Sequence, residues 1–197
     1  MKRILVMMVT VMMVTLSANA QHREGDNTIQ PRVGVTLSTM TNMDDSKMKV
    51  NVAFGVEFEH FFTDQFSAAA GVLYAIQGAK FDDDITMNLN YGLLPITANY
   101  YVLPGLALKA GVQLGFRVKA GVNHDGNKID FDDYLEREFG SDVKMNTFDL
   151  AIPLGLSYEY SRVTLDARYN LGVTKLFSGM DETVRNQVIV ITLGYKF

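Results

Sequence analysis

The sequence predicts an all-β fold, an eight-stranded antiparallel up-and-down barrel that crosses a membrane. Three observations lead there. Alternating apolar and polar residues recur in eight stretches, most of them longer than the roughly nine to eleven residues a tilted strand needs to cross a bilayer. Long polar loops and very short turns join these stretches in alternation, the asymmetry of transmembrane barrels. The N-terminus carries the pattern of an export signal.

Lys2 and Arg3 make a basic start, ILVMMVTVMMVTL (4–16) an apolar run, and SANA (17–20) a small-residue end that suits cleavage before Gln21. Residues 1–20 therefore read as a secretory signal peptide, since the apolar run falls short of the ~20 residues of a spanning helix. Without a Cys at the cut, no lipoprotein is expected. With no Cys anywhere, disulfides and thiolate metal sites are excluded. Removing Lys2 and Arg3 leaves 16 basic against 22 acidic residues, a net charge of −6 that argues against nucleic acid. No later stretch is apolar enough to span as a helix. A membrane crossing must then use strands that close on themselves, because an open sheet edge leaves N–H and C=O groups unsatisfied in hydrocarbon.

Residues 21–30 read as a short polar periplasmic leader and 31–197 as the barrel domain. The first strand, 31–40, sets Val33, Val35 and Leu37 against Arg32, Gly34, Thr36 and Ser38. The second, 50–62, sets Val50, Val52, Phe54, Val56 and Phe58 against Asn51, Ala53, Gly55, Glu57 and Glu59. Thr63 to Gln65 turn into the third, 66–78, where Leu73 breaks an otherwise small and polar face. The fourth, about 88–102, has Leu94, Ile96, Ala98 and Tyr100 outward and Pro95, Thr97, Asn99 and Tyr101 inward. A proline in a central strand points to a bulge nearby. After the LPG turn the fifth strand, 106–119, sets Leu106 to Val118 at every second position against Lys109, Gln113, Arg117 and Lys119. The sixth, 146–160, sets Phe148, Leu150, Ile152, Leu154 and Leu156 against Asp149, Pro153, Ser157 and Glu159. Ser161 and Arg162 turn into the seventh, VTLDARYNLGVT (163–174), which alternates without a break. The eighth ends the chain, with Ile189, Ile191, Leu193, Tyr195 and Phe197 outward. Val188 and Val190 spoil its inner face.

Alternation alone does not say which face meets water. The polar face is rich in Gly, Ser, Thr, Asn and Gln and poor in long charges, which suits a narrow lumen better than a solvated surface. Aromatics gather near the short turns (Phe62, Phe66, Tyr100, Tyr158, Tyr160, Tyr195, Phe197). Others gather toward the loops (Phe54, Tyr74, Tyr91, Phe116, Phe148), as two interfacial girdles. The last strand stops on an outward Phe197. The apolar face is therefore expected to meet lipid, in a barrel of the outer-membrane type. The termini and short turns would be periplasmic and the long loops extracellular. The lumen then holds Arg32, Lys109, Arg117, Lys119, Arg168 and Lys196 against Glu57, Glu59, Asp149, Glu159 and Asp166. Eight strands enclose a space that side chains fill, so these charges are expected to pair as a structural plug rather than line a wide pore.

FSAAAGVLYAIQGAK (66–80), YGLLPITANYYV (91–102), LDARYNLGVT (165–174) and ITLGYKF (191–197) resemble the PorT-type outer-membrane β-barrel family of Gram-negative bacteria. The resemblance spans nearly all of the mature chain and rests on strand chemistry rather than a reactive site. It implies the fold and the outer membrane, and a role accessory to protein secretion. It brings no catalytic residues.

No catalytic, cofactor or metal site is expected. Of three histidines, His22 lies in the leader, His60 on the outward face, and His124 in the longest loop, where no spacing ties it to Ser141 as a nucleophile. That loop holds DGNKIDFDD (125–133). Its Asp125, Asp130, Asp132 and Asp133 could wrap Ca²⁺, but the Gly and Glu spacing of an EF-hand is absent, so a solvated acidic loop is expected. In DDYLEREFG (132–140), Leu135 and Phe139 share a face of a short helical turn, an apolar knob for packing or for a partner. The expected protein is a monomeric, non-enzymatic barrel. Its partners are outer-membrane lipid and envelope or secretion proteins, met through the loops or the periplasmic rim. The alternatives are a small-solute channel and a lipid-modifying enzyme.

Overall fold

The computed structural model describes residues 22–41, 47–80, 85–124, 127–130, 144–179 and 183–197. Eight strands close into one antiparallel barrel: β1 (Asn27–Met40), β2 (Lys49–Phe61), β3 (Phe66–Gln77), β4 (Ile85–Leu103), β5 (Leu106–His124), β8 (Phe148–Tyr160), β9 (Val163–Gly172) and β11 (Asn186–Tyr195). Each pairs with the next, and β1 closes the ring on β11, from Arg32 opposite Gly194 to Met40 opposite Asn186. β6 (Asn127–Asp130) folds back on the end of β5. β7 (Lys144–Met145) pairs with β10 (Phe177–Ser178) at the loop end. The signal-peptide segment 1–20 lies outside the described residues.

The alternation has the orientation expected. Val33 and Val72 are 63% and 65% exposed, while Arg32, Glu57, Asp166 and Arg168 are buried within. Outward aromatics pair near the short turns, Phe62 with Phe66 and Tyr195 with Phe197, and further up, Phe54 with Tyr74 and Phe116 with Phe148. Tyr91 is the exception to the girdle. It points inward and is fully buried.

Strand ends differ from expectation where hydrogen bonding outruns hydrophobic pattern. β1 begins at Asn27, inside the stretch read as leader, because Ile29 exchanges backbone hydrogen bonds with Phe197 and Asn27 lies opposite His60. β4 and β5 form a hairpin of two 19-residue strands that rises past the others. Its tight turn places Gly105 at φ 79°, where glycine carries no Cβ penalty.

A β-bulge sits in this hairpin. Asn90 lies opposite Lys119 but Tyr91 lies opposite Arg117, so Val118 is an extra residue on β5. The side-chain period is two, and one inserted residue reverses every side chain beyond it. Lys119, expected in the lumen, therefore shares the outer face of Asn90 and is exposed, while Ala120 and Val122 turn inward. The prolines act separately. Pairing between β3 and β4 lapses at Leu94–Pro95, and between β5 and β8 at Ile152–Pro153, since proline has no N–H to give. Close approach of strands needs glycine at Gly111, where an added Cβ would stand 2.0 Å from the Ile96 carbonyl oxygen.

Candidate functional site

The lumen is the most built part of the molecule, and it is layered. At mid-height, inward positions on four strands bring Glu57 and Asp166 among Arg32, Lys109 and Arg168. Arg168 Nη2 lies 2.7 Å from Glu57 Oε2, and its Nε lies 2.7 Å from Asp166 Oδ1. Lys109 Nζ donates to Asp166 Oδ2 at 2.9 Å and to Glu57 Oε1 at 3.2 Å. Arg32 reaches the same two carboxylates at 3.2 and 3.0 Å and donates to Gln30 Oε1 at 2.6 Å.

Toward the short turns lies a second layer. Lys196 Nζ bridges Glu59 Oε2 at 2.8 Å and Glu159 Oε2 at 2.7 Å. Glu59 Oε1 also accepts from Ser67, from Asn99 Nδ2 at 2.8 Å and from the Tyr101 hydroxyl at 2.9 Å. His22 closes this end. Its ring stacks on Phe61 with centroids 4.1 Å apart, and Nε2 lies 2.9 Å from Glu159 Oε2. The segment is held there by Gly25 N–H donating to the Phe61 carbonyl and Phe61 N–H donating to that of Asp26.

Charge explains the two layers. The mid-height layer has three cations and two anions; the lower has two anions and one cation. Together they balance, four against four. An uncompensated buried ion would carry a desolvation penalty of several kcal/mol.

Above the ions an apolar cluster stands beside buried Thr36, Ser38, Gln77 and Asn186. Met40, Leu73, Met87, Leu89, Tyr91, Leu93, Val188 and Val190 from the barrel wall meet Met145, Leu176, Phe177 and Val184 from the loop end in one buried cluster. The inward Leu73, Val188 and Val190, which break the polar pattern of their strands, belong here. Between the tiers a gap of about 10 Å³ remains, lined by Arg168, Gln113, Asn170 and Leu93 among others.

Eight of the eleven expected lumen charges thus meet in the network. Arg117 is half-buried higher up and donates to the Met145 carbonyl at 3.1 Å. Asp149 is buried and accepts from Thr174 Oγ1 at 2.6 Å, apart from the ionic layers. Lys119 is outside. His22, Tyr101 and Asn99 were not expected in the network. Tyr101 and Asn99 do face inward as the alternation of β4 predicts, though the alternation does not tie them to the ions; His22 offers no such signal. His60 is half-buried on the outer wall, bonded to Asn27 and edge-on to Phe62. Asp130 is the last residue of β6, opposite Gly121. Asp125, Asp132, Asp133, Leu135 and Phe139 lie outside the described residues. Among those described, no group of three His, Cys, Asp or Glu could hold a metal ion.

A family profile described as "Outer membrane protein beta-barrel domain" matches residues 19–178. Solved structures with a similar fold include Ail, the attachment invasion locus protein of Yersinia pestis, at 17% identity and a TM-score of 0.53, covering 88% of this chain and 99% of that one. Neisserial surface protein A is similar at 13% identity and a TM-score of 0.54, covering 87% and 97%. At these identities the likeness is one of fold. No curated protein sequence matches.

Proposed function

The chain belongs to the outer membrane protein beta-barrel domain family, eight-stranded barrels of the bacterial outer membrane, and on that premise we propose that it is a non-enzymatic barrel with a sealed lumen. Its task would be structural or accessory: envelope integrity, contact with a partner, or support of secretion, as the PorT-type resemblance implies. Removal of residues 1–20 on export, periplasmic short turns and extracellular long loops are parts of the same reading.

The observation that supports it is the filling of the lumen. A permeating ion would have to displace paired charges at mid-height and then pass a layer packed with buried side chains, most of them apolar. Protein reconstituted in planar bilayers is expected to give no unitary conductance. Discrete current steps would favour the small-solute channel instead. A deletion strain with unaltered secretion, adhesion and envelope integrity would count against the accessory role.

A further inference from the structure

The junction between the ionic layer and the apolar cluster holds polar atoms that neither tier satisfies. Ala53 and Ala75 lie opposite each other on β2 and β3 and both point inward, and two such short side chains leave room. The gap of about 10 Å³ lies there, with Leu73 and Leu93 on its apolar side. Asn170 and Arg32 also line it, only 2% and 5% exposed. Among the described residues, neither Asn170 Oδ1 nor Arg32 Nε has a hydrogen-bond partner. Gln113 is a third polar residue of the lining, and its Oε1 accepts from Asn170 Nδ2 at 3.4 Å, a long contact.

Polar groups that lose water on burial are costly unless something replaces it. The alanines and leucines around the gap offer no hydrogen bond through their side chains. Size and charge then select the partner. A single water needs about 10–15 Å³, so the gap takes one molecule and no more. The ions beneath already balance, four against four, and a bound cation or anion would add an uncompensated charge. A neutral molecule that both donates and accepts can meet all three groups.

From this arrangement we infer that the gap is a binding site for one water molecule, which accepts from Arg32 Nε and donates to Asn170 Oδ1 and Gln113 Oε1. The water carries the hydrogen-bonded network up to Leu73 and Leu93, where it ends. With salt bridges below it and packed side chains above, it exchanges slowly with bulk solvent. That slow exchange rests on the sealed-lumen reading, which bilayer conductance tests separately.

The test is oxygen-17 relaxation dispersion of water around the full mature protein in micelles, joined to NOE and ROE spectra between water and the Asn170 side-chain amide. The wild type is expected to hold one more long-lived water than Asn170→Leu, which keeps the bulk and removes the acceptor. It should also hold one more than Ala53→Val, which fills the gap and leaves the polar partners in place. Leu165→Val, on the lipid face, should leave the number unchanged. The Asn170 amide should give water cross-peaks of opposite sign in the two spectra, as dipolar contact does and proton exchange does not. Folding of each variant is read from heat-dependent gel mobility. If Asn170→Leu does not fold, Ala53→Val and the cross-peaks decide. Equal numbers of long-lived waters in the wild type and Ala53→Val would overturn the site. So would the lack of dipolar contact at Asn170, or the loss of one water in Leu165→Val. Such a result with silent bilayers would remove the water and leave the sealed lumen standing, whereas current steps with the water in place would do the reverse.

Discussion

Arg168 and Glu57, 111 residues apart in sequence, meet with Nη2 2.7 Å from Oε2 in the middle of the lumen. Neither is paired alone, since each also contacts a third member, Asp166 or Lys109. Removing one partner of a buried ion pair leaves its neighbours uncompensated, at a cost of about 3–5 kcal/mol. Glu57→Gln and Asp166→Asn should each lower stability by about that much. The chain has no Trp, so urea unfolding in lipid vesicles is best followed by circular dichroism. Loss of less than about 1 kcal/mol, the scale of an exposed pair, would mean that water screens the network.

The apolar tier predicts a different response. Leu73 is buried against the neighbouring Leu93 side of β4, with no polar group to lose. Leu73→Ala should cost about 2–5 kcal/mol through lost burial and the cavity left behind. Leu73→Asp should disturb folding more, since it sets an unpaired carboxylate in that layer. Equal urea midpoints for wild type and Leu73→Ala would show the upper lumen to be loosely packed or wet.

Much of this was legible in the sequence because period-two alternation fixes both strand and facing, and lipid on one side keeps the pattern clean over ten or more residues. Glu57, Asp166, Lys109 and Arg168 could be assigned to the lumen for that reason alone. Three features escaped. The bulge at Val118 is a property of two strands together, and Arg117, Val118 and Lys119 give no local sign of it. Leu73, Val188 and Val190 each break their own strand's pattern, but the layer they build exists only once the strands are registered. His22 sits in a segment with no periodicity, and its place depends on Phe61 and Glu159, far along the chain.

The bulge makes Lys119 a sharp test of facing. With no native Cys, a single introduced thiol reports its own surroundings. Lys119→Cys should react with a charged maleimide in the folded barrel, while Thr97→Cys, whose site is buried in the lumen, should react only after unfolding. Deleting Val118 from the Lys119→Cys variant removes the extra residue but leaves position 119 next after inward Arg117 and opposite Asn90, so the thiol should stay on the outer face and keep its labelling. No labelling of Lys119→Cys in the folded barrel would mean that the alternation runs on past Arg117 without a bulge and that Lys119 faces the lumen.

At the other end, His22 should be energetically coupled to Glu159. The imidazole lies on Phe61 and meets the same carboxylate oxygen that Lys196 holds. Removing His22 takes one of its two close partners from Glu159, and removing the charge at Glu159 takes the partner of His22. A double-mutant cycle with His22→Ala and Glu159→Gln should therefore show a coupling of about 0.5–3 kcal/mol, the range of residues sharing one network. Amide exchange gives a local check. The Gly25 and Phe61 N–H groups, both bonded across this junction, should exchange faster in His22→Ala, whereas those around Lys109 should not change. Strictly additive effects with unchanged exchange would show that the N-terminal segment stays docked through its backbone alone.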